Sequence, residues 1–193
     1  DQYRTTSITY PDGFVENRVY DNEGNLISDA KGSYSYDGAG NLISSKDSLG
    51  NTASYTYDAQ NRLVSEKKVD GESISYAYDD RGNLTSMTST SGESHIYSYD
   101  ALCRLVSDTD ADGVTTVYGW SGSNMVSATD PLGHTTSYAY DAMGRCVSET
   151  DACGNTSRTY YDALGRVIGE TDKTGAHTSY SLGGSGLLES MTD

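Results

Sequence analysis

The sequence predicts an all-β fold in which tandem antiparallel β-hairpin repeats of about 21 residues form a wide curved sheet. Three observations lead there. An aromatic anchor recurs at one period, two rows of Asp-x-x-Gly bracket it, and short stretches of alternating character lie between the rows.

The second tyrosine of each Tyr-x-Tyr sets the period. From Tyr36 the anchors run through Tyr57, Tyr78, Tyr99, Trp120, Tyr140 and Tyr161 to a decayed Leu182, at spacings of 21 residues apart from 20 between Trp120 and Tyr140. An earlier copy anchors on Tyr20, 16 residues before Tyr36, so that unit lacks about five residues of the period. The entering strand of a unit is exemplified by Ala53-Ser54-Tyr55-Thr56-Tyr57. Tyr55 and Tyr57 share a face, as do Tyr76 with Tyr78, Tyr97 with Tyr99 and Tyr138 with Tyr140, because strand side chains alternate.

A turn follows each anchor. Four residues on stands Gly24, Gly40, Gly82, Gly144, Gly165 or Gly186, replaced by Asn61 and Cys103 in two copies. Asp21, Asp37, Asp79, Asp141 and Asp162 lead the glycines at three residues, and Asp58 and Asp100 lead the replacements. Asp at the first position and Gly at the fourth are type I turn preferences, with the Gly in positive φ forming the bulge that restores pairing. The leaving strand, such as Arg62-Leu63-Val64-Ser65-Glu66, places the consecutive Leu63 and Val64 on opposite faces, so both faces carry apolar contacts. A second glycine row about ten residues later, Gly50, Gly71, Gly92, Gly113, Gly133, Gly154 and Gly175, closes the unit. The two prolines, Pro11 and Pro131, both occupy the second position of a turn, where their fixed φ is wanted. Roughly eight hairpin repeats thus fill residues 1–193 as a single array, and the chain opens inside the pattern as a fragment of a longer one would. A flat meander of roughly sixteen strands would extend about 75 Å, and a twisted sheet that wide curls.

Composition agrees with tyrosine-held order. Leu, Ile, Val and Phe supply only 29 of 193 residues, too few for an aliphatic core, whereas 17 tyrosines offer apolar rings with a hydroxyl at the wet edge. A net charge of -15 argues against nucleic acid as a partner, and no stretch is apolar enough to span a membrane as a helix. Three cysteines, an odd number without a Cys-x-x-Cys, indicate neither a full disulfide framework nor a zinc site.

The copies YSYDGAGNL at 34–42, YTYDAQNRL at 55–63, YAYDDRGNL at 76–84, YSYDALCRL at 97–105 and YAYDAMGR at 138–145 resemble the YD repeat of bacterial Rhs (rearrangement hotspot) proteins, which recurs in cocoon subunits of insecticidal toxin complexes and in teneurins. Seven Tyr-Asp copies carry the resemblance. It implies a sheet strip spiralling into a hollow shell that encloses the parent's own C-terminal toxin or effector, in a secreted or cell-surface bacterial protein. The expected partners are then neighbouring YD repeats and that enclosed effector. The signature residues are Tyr36, Asp37, Gly40, Tyr55, Tyr57, Asp58, Tyr76, Tyr78, Asp79, Gly82, Tyr97, Tyr99, Asp100, Tyr138, Tyr140, Asp141, Gly144, Tyr161, Asp162 and Gly165. The longer boundary signature of such shells, with its self-cleaving aspartate pair, is absent, and Asp130 to Gly133 falls in register with an ordinary second turn.

Other chemistries are weaker. Asp108-Thr109-Asp110-Ala111-Asp112-Gly113 copies half of an EF-hand loop, but position twelve is Gly119. His95, His134 and His177 lie in different repeats, and Cys146 takes the aliphatic place of Leu63 while Cys103 and Cys153 sit in turns. No base is supplied for a nucleophile, so the expectation is a non-enzyme without a cofactor. The alternative function is carbohydrate or cell-surface binding through the tyrosine rows. The alternative fold is a β-propeller, which would pair units into four-stranded blades with a 42-residue period.

Overall fold

Residues 4–184 and 186–193 are described by a computed structural model, and they form strands and turns without a helix. They divide into two compact units, Asp1–Ile96 and Tyr97–Asp193. The first holds β1 (Arg4–Thr9), β2 (Val15–Tyr20), β3 (Leu26–Ser28), β4 (Gly32–Tyr36), β5 (Leu42–Asp47), β6 (Thr52–Tyr57), β7 (Leu63–Lys67), β8 (Ser73–Tyr78), β9 (Leu84–Ser89) and the start of β10 (Ser94–Tyr99). The second holds β11 (Leu105–Asp110), β12 (Thr115–Ser121), β13 (Asn124–Thr129), β14 (Thr135–Tyr140), β15 (Cys146–Thr150), β16 (Thr156–Tyr161), β17 (Val167–Thr171), β18 (His177–Leu182) and β19 (Leu188–Thr192).

Within each unit every strand pairs antiparallel with its neighbours in sequence, as the hairpin reading predicts. A propeller would break this ladder after every fourth strand. The pairing instead runs on from β4 to β5, β6, β7 and β8, which sets that alternative aside.

Both turn rows take the expected geometry. In the first row the Asn61 N–H donates to the Asp58 carbonyl at 3.0 Å and the Asp58 N–H to the Arg62 carbonyl at 3.0 Å, a type I turn closed by a bulge. Both glycine rows adopt positive φ, for example 85° at Gly40 and 86° at Gly154. Asn61 (59°) and Cys103 (61°) hold the same conformation without being glycine. An L-residue there costs about 1–2 kcal/mol, whereas glycine adds about 0.4–1 kcal/mol of unfolded-state entropy. Cys103→Gly is therefore expected to stabilise the second unit by about 0.5–1 kcal/mol, read from the denaturation midpoint. A lower midpoint would mean that the exposed Cys103 side chain makes a contact outweighing its backbone strain.

The leaving strands differ from simple alternation. Tyr57 pairs Leu63 and Thr56 pairs Ser65, so Val64 is an extra residue and Leu63 and Ser65 fall on opposite faces. The same shift recurs at Tyr36, Tyr78, Tyr140 and Tyr161. Periodicity misses it because one inserted residue leaves the spacing between anchors unchanged.

Burial is sparse, as the shortage of aliphatic residues requires. Ala53 and Ile74 are the buried apolar residues among those described, joined by Glu16 and Ser89. Glu16 is held by Arg18 at 3.1 Å and by the Tyr10 hydroxyl at 2.8 Å, and Ser89 donates to Glu72 at 2.6 Å. Lateral bonds between hairpins must then supply what a core would.

Candidate functional site

Those lateral bonds converge beside the first-row turns. Within a hairpin the ladder runs to the anchor, from Ser54↔Lys67 to Tyr57↔Leu63. Between hairpins it stops early: β7 and β8 pair at Lys67↔Ser73, Glu66↔Ile74 and Ser65↔Ser75 and no further. Toward the first-row turns the two strands separate, leaving the Leu63 carbonyl without a strand partner on that side.

The tyrosine anchor of the following repeat satisfies it. The Tyr78 hydroxyl donates to the Leu63 carbonyl at 2.8 Å. Tyr57 does the same to Leu42 at 2.9 Å, Tyr140 to Met125 at 2.8 Å and Tyr161 to Cys146 at 3.1 Å. In each case the bond spans 15 residues, whereas Tyr36 reaches Leu26 across 10, because the first unit is about five residues short. Trp120 replaces tyrosine and keeps a donor: its Nε1 reaches the Leu105 carbonyl at 2.8 Å. Phenylalanine would fill the gap and leave the carbonyl unpaired.

The turn aspartates organise the rest. Asp58 Oδ1 accepts the N–H groups of Gln60 and Arg62 at 2.9 and 3.0 Å, while Oδ2 accepts Arg62 Nε at 2.7 Å. The guanidinium then crosses to the next repeat. Its Nη1 donates to the Asp79 carbonyl at 3.1 Å and its centre lies 4.6 Å from the Tyr78 ring centroid. Arg145 repeats the arrangement on Asp162 and Tyr161, and Arg104 reaches the Gly122 carbonyl and Trp120. Asn41 and Asn83 replace the arginine and bind the Asp37 and Asp79 carboxylates. The Tyr, Asp and Gly signature omits these residues, although an Arg or Asn four residues after each first-row aspartate was a readable signal.

Other predicted residues take simpler places. Tyr55 and Tyr138 stand across from Glu66 and Glu149, and the Tyr76 hydroxyl donates to Glu66 at 3.3 Å. Tyr97 and Tyr99 lie on β10, Asp100 leads the turn that Cys103 closes, and Gly82, Gly144 and Gly165 close theirs. Asp110 spends Oδ1 on the N–H groups of Asp112 and Val114, and no group of three metal-ligating side chains occurs among the described residues. His134 bonds Asp130 at 2.9 Å within its turn, and His177 bonds Thr171, its partner across the β17–β18 hairpin, at 3.0 Å.

Hydrogen bonds from the Asn41 side chain hold Asp37 below the usual carboxylate range, and those from Arg145 do so for Asp141. The Arg62 backbone N–H is the leading cause at Asp58, and Lys68 takes Glu72 down to about 2. Carboxyls depressed on folding contribute stability above their unfolded values near pH ~4 and lose it as pH falls through the folded ones. Burial raises Tyr36, Tyr57 and Tyr140, which have the opposite sign: their contribution is complete below pH ~10 and is lost as pH rises. Circular dichroism is expected to show a plateau from about pH 5 to 9 with unfolding on either side. An acid midpoint above that plateau's lower limit would show that the turn aspartates do not set the acid limit.

The sequence profile described as RHS Repeat matches residues 36–73, 65–94, 78–115 and 120–156. No curated protein matches the chain. Among solved structures, the crystal structure of TcdB2-TccC3 without its hypervariable C-terminal region superposes with a TM-score of 0.69 at 14% identity, over 98% of this chain and 14% of that one. The crystal structure titled TcdB2-TccC3-TEV follows at 0.57 and 16% identity, over 96% and 13%. At these identities the likeness is one of fold, and the chain spans about a seventh of the structures it matches.

Proposed function

The chain belongs to the RHS repeat family, and from that membership we propose that it is a non-catalytic length of wall in a shell enclosing the C-terminal effector of its parent protein. The observation that carries this reading is the lateral joint. Within each unit, neighbouring repeats are cross-linked, through Tyr78 to Leu63 in the first and through Tyr161 to Cys146 and Arg145 to Asp162 in the second, so the recurring chemistry of the repeat is spent on holding neighbours. A wall needs that property. Secretion or surface display follows from the same reading.

Limited proteolysis of the full-length parent tests it. The C-terminal segment is expected to resist cleavage until the repeats unfold. Cleavage while the repeats remain folded would discard enclosure. One observation favours carbohydrate binding as a second reading: an open groove over the short repeat brings Tyr34 and Tyr36 together with Asp21, Glu23 and Asp37. Saturable binding on a glycan array, lost in Tyr34→Ala, would establish it.

A further inference from the structure

Register sorts the paired strand residues onto two faces, since partners across an antiparallel ladder share a face and neighbours along a strand do not. The tyrosine face holds the four buried residues, Glu16, Ala53, Ile74 and Ser89, by pairing or parity with the anchors. It also carries Glu66 opposite Tyr55, Glu149 opposite Tyr138, and Asp108.

The opposite face is made of hydroxyls and small residues. Thr56 pairs Ser65, which pairs Ser75, and Gly119 pairs Ser127, which pairs Ser137. Thr109 with Thr115 and Thr129 with Thr135 join their hydroxyls across this face at 2.8 Å. In a chain of net charge -15, no paired residue of this face is a carboxylate among the described residues, and its charges are Lys46, Lys67 and Arg158. Val15, Val19, Ile96, Val117 and Tyr160 interrupt it, and the extra residues at the bulges, such as Val64, take no register partner.

We infer that this hydroxyl face is the inner face of the wall, lying against the enclosed segment of the same parent polypeptide, with the tyrosine face outward. The inference rests on the shell reading above. On a curved sheet the inner side has less area per residue, so serine, threonine, glycine and alanine fit there while tyrosine and arginine take the wider outer side. Charge selects the same orientation. Carboxylates facing solvent keep the shell soluble, whereas confined inside they would repel one another with little water to screen them. A hydroxyl surface with a few cations also offers an enclosed chain hydrogen bonds along its length.

Adjacent residues on one strand point to opposite faces and give the test. Ser65→Cys and Glu66→Cys, and on a second strand Ser148→Cys and Glu149→Cys, are made in the full-length parent and treated with a maleimide carrying bulky polyethylene glycol, with labelling read by peptide mapping. The thiols replacing Glu66 and Glu149 are expected to react in the native parent, and those replacing Ser65 and Ser148 only after denaturation. The reverse pattern overturns the orientation and leaves a closed wall standing. Native reaction at both faces overturns the shell reading with it, which early cleavage of the C-terminal segment would confirm separately. Protection at both faces overturns the inference as well. The second strand decides if a variant on the first does not fold.

Discussion

Tyr78→Ala is expected to destabilise the first unit by about 2–4 kcal/mol, the largest effect of any substitution at the joint. Two losses combine. The ring fills the space where β7 and β8 part and carries the Arg62 guanidinium 4.6 Å from its centroid, so truncation opens that space on both sides. The hydroxyl also satisfies the Leu63 carbonyl, which has no strand partner there. Removing only the hydroxyl, in Tyr78→Phe, is expected to cost about 1 kcal/mol. Tyr78→Trp should fall closer to wild type than to alanine, because Trp120 shows that an indole N–H can reach the equivalent carbonyl. Denaturation midpoints rank the three variants. Native-state hydrogen exchange should place the loss in β7 and β8, with β4 and β5 still protected, since each repeat draws stability from its neighbours. If Tyr78→Phe proved as damaging as Tyr78→Ala, the hydroxyl bond alone would hold the joint and the ring would be incidental.

The joint also marks where sequence reading stopped. Anchors, both turn rows and the paired faces of Tyr55 and Tyr57 were legible, because each rests on a local rule of spacing or backbone preference. The five-residue deficit of the first repeat was legible too, and it reappears in the shorter reach of Tyr36 to Leu26. Three features were not. The extra residue at Val64 changes register without changing the period. The early end of the β7–β8 ladder, at Ser65↔Ser75, is announced by no single residue. The part played by Arg62 depends on where the next repeat's Tyr78 and Asp79 lie, a relation that exists only once the strands are paired. The anchor itself was read as packing, and its hydrogen bond explains why its replacement at position 120 is tryptophan, the other large aromatic with a donor.

Gly144→Val should cost about 2–3 kcal/mol, and the reason is conformation rather than space. A Cβ at Gly144 would meet nothing closer than the Asn124 side chain at 3.7 Å, an ordinary contact. Its φ of 77° is the obstacle, because a β-branched residue is strongly disfavoured in the left-handed region. Relaxing φ would break the Gly144 N–H bond to the Asp141 carbonyl at 3.0 Å and move Arg145, which follows directly in the chain. Arg145 holds the Asp141 carboxylate and crosses to Asp162 and Tyr161, so the damage should extend one repeat forward. Gly144→Asn separates the two causes. Asparagine already occupies this turn position at Asn61 with φ 59°, so that variant should lose well under half as much stability despite being no smaller than valine. Amide exchange is expected to rise in β14, β15 and β16 while β11 and β12 keep their protection. Equal losses for the two variants would mean that space, not backbone conformation, selects glycine there.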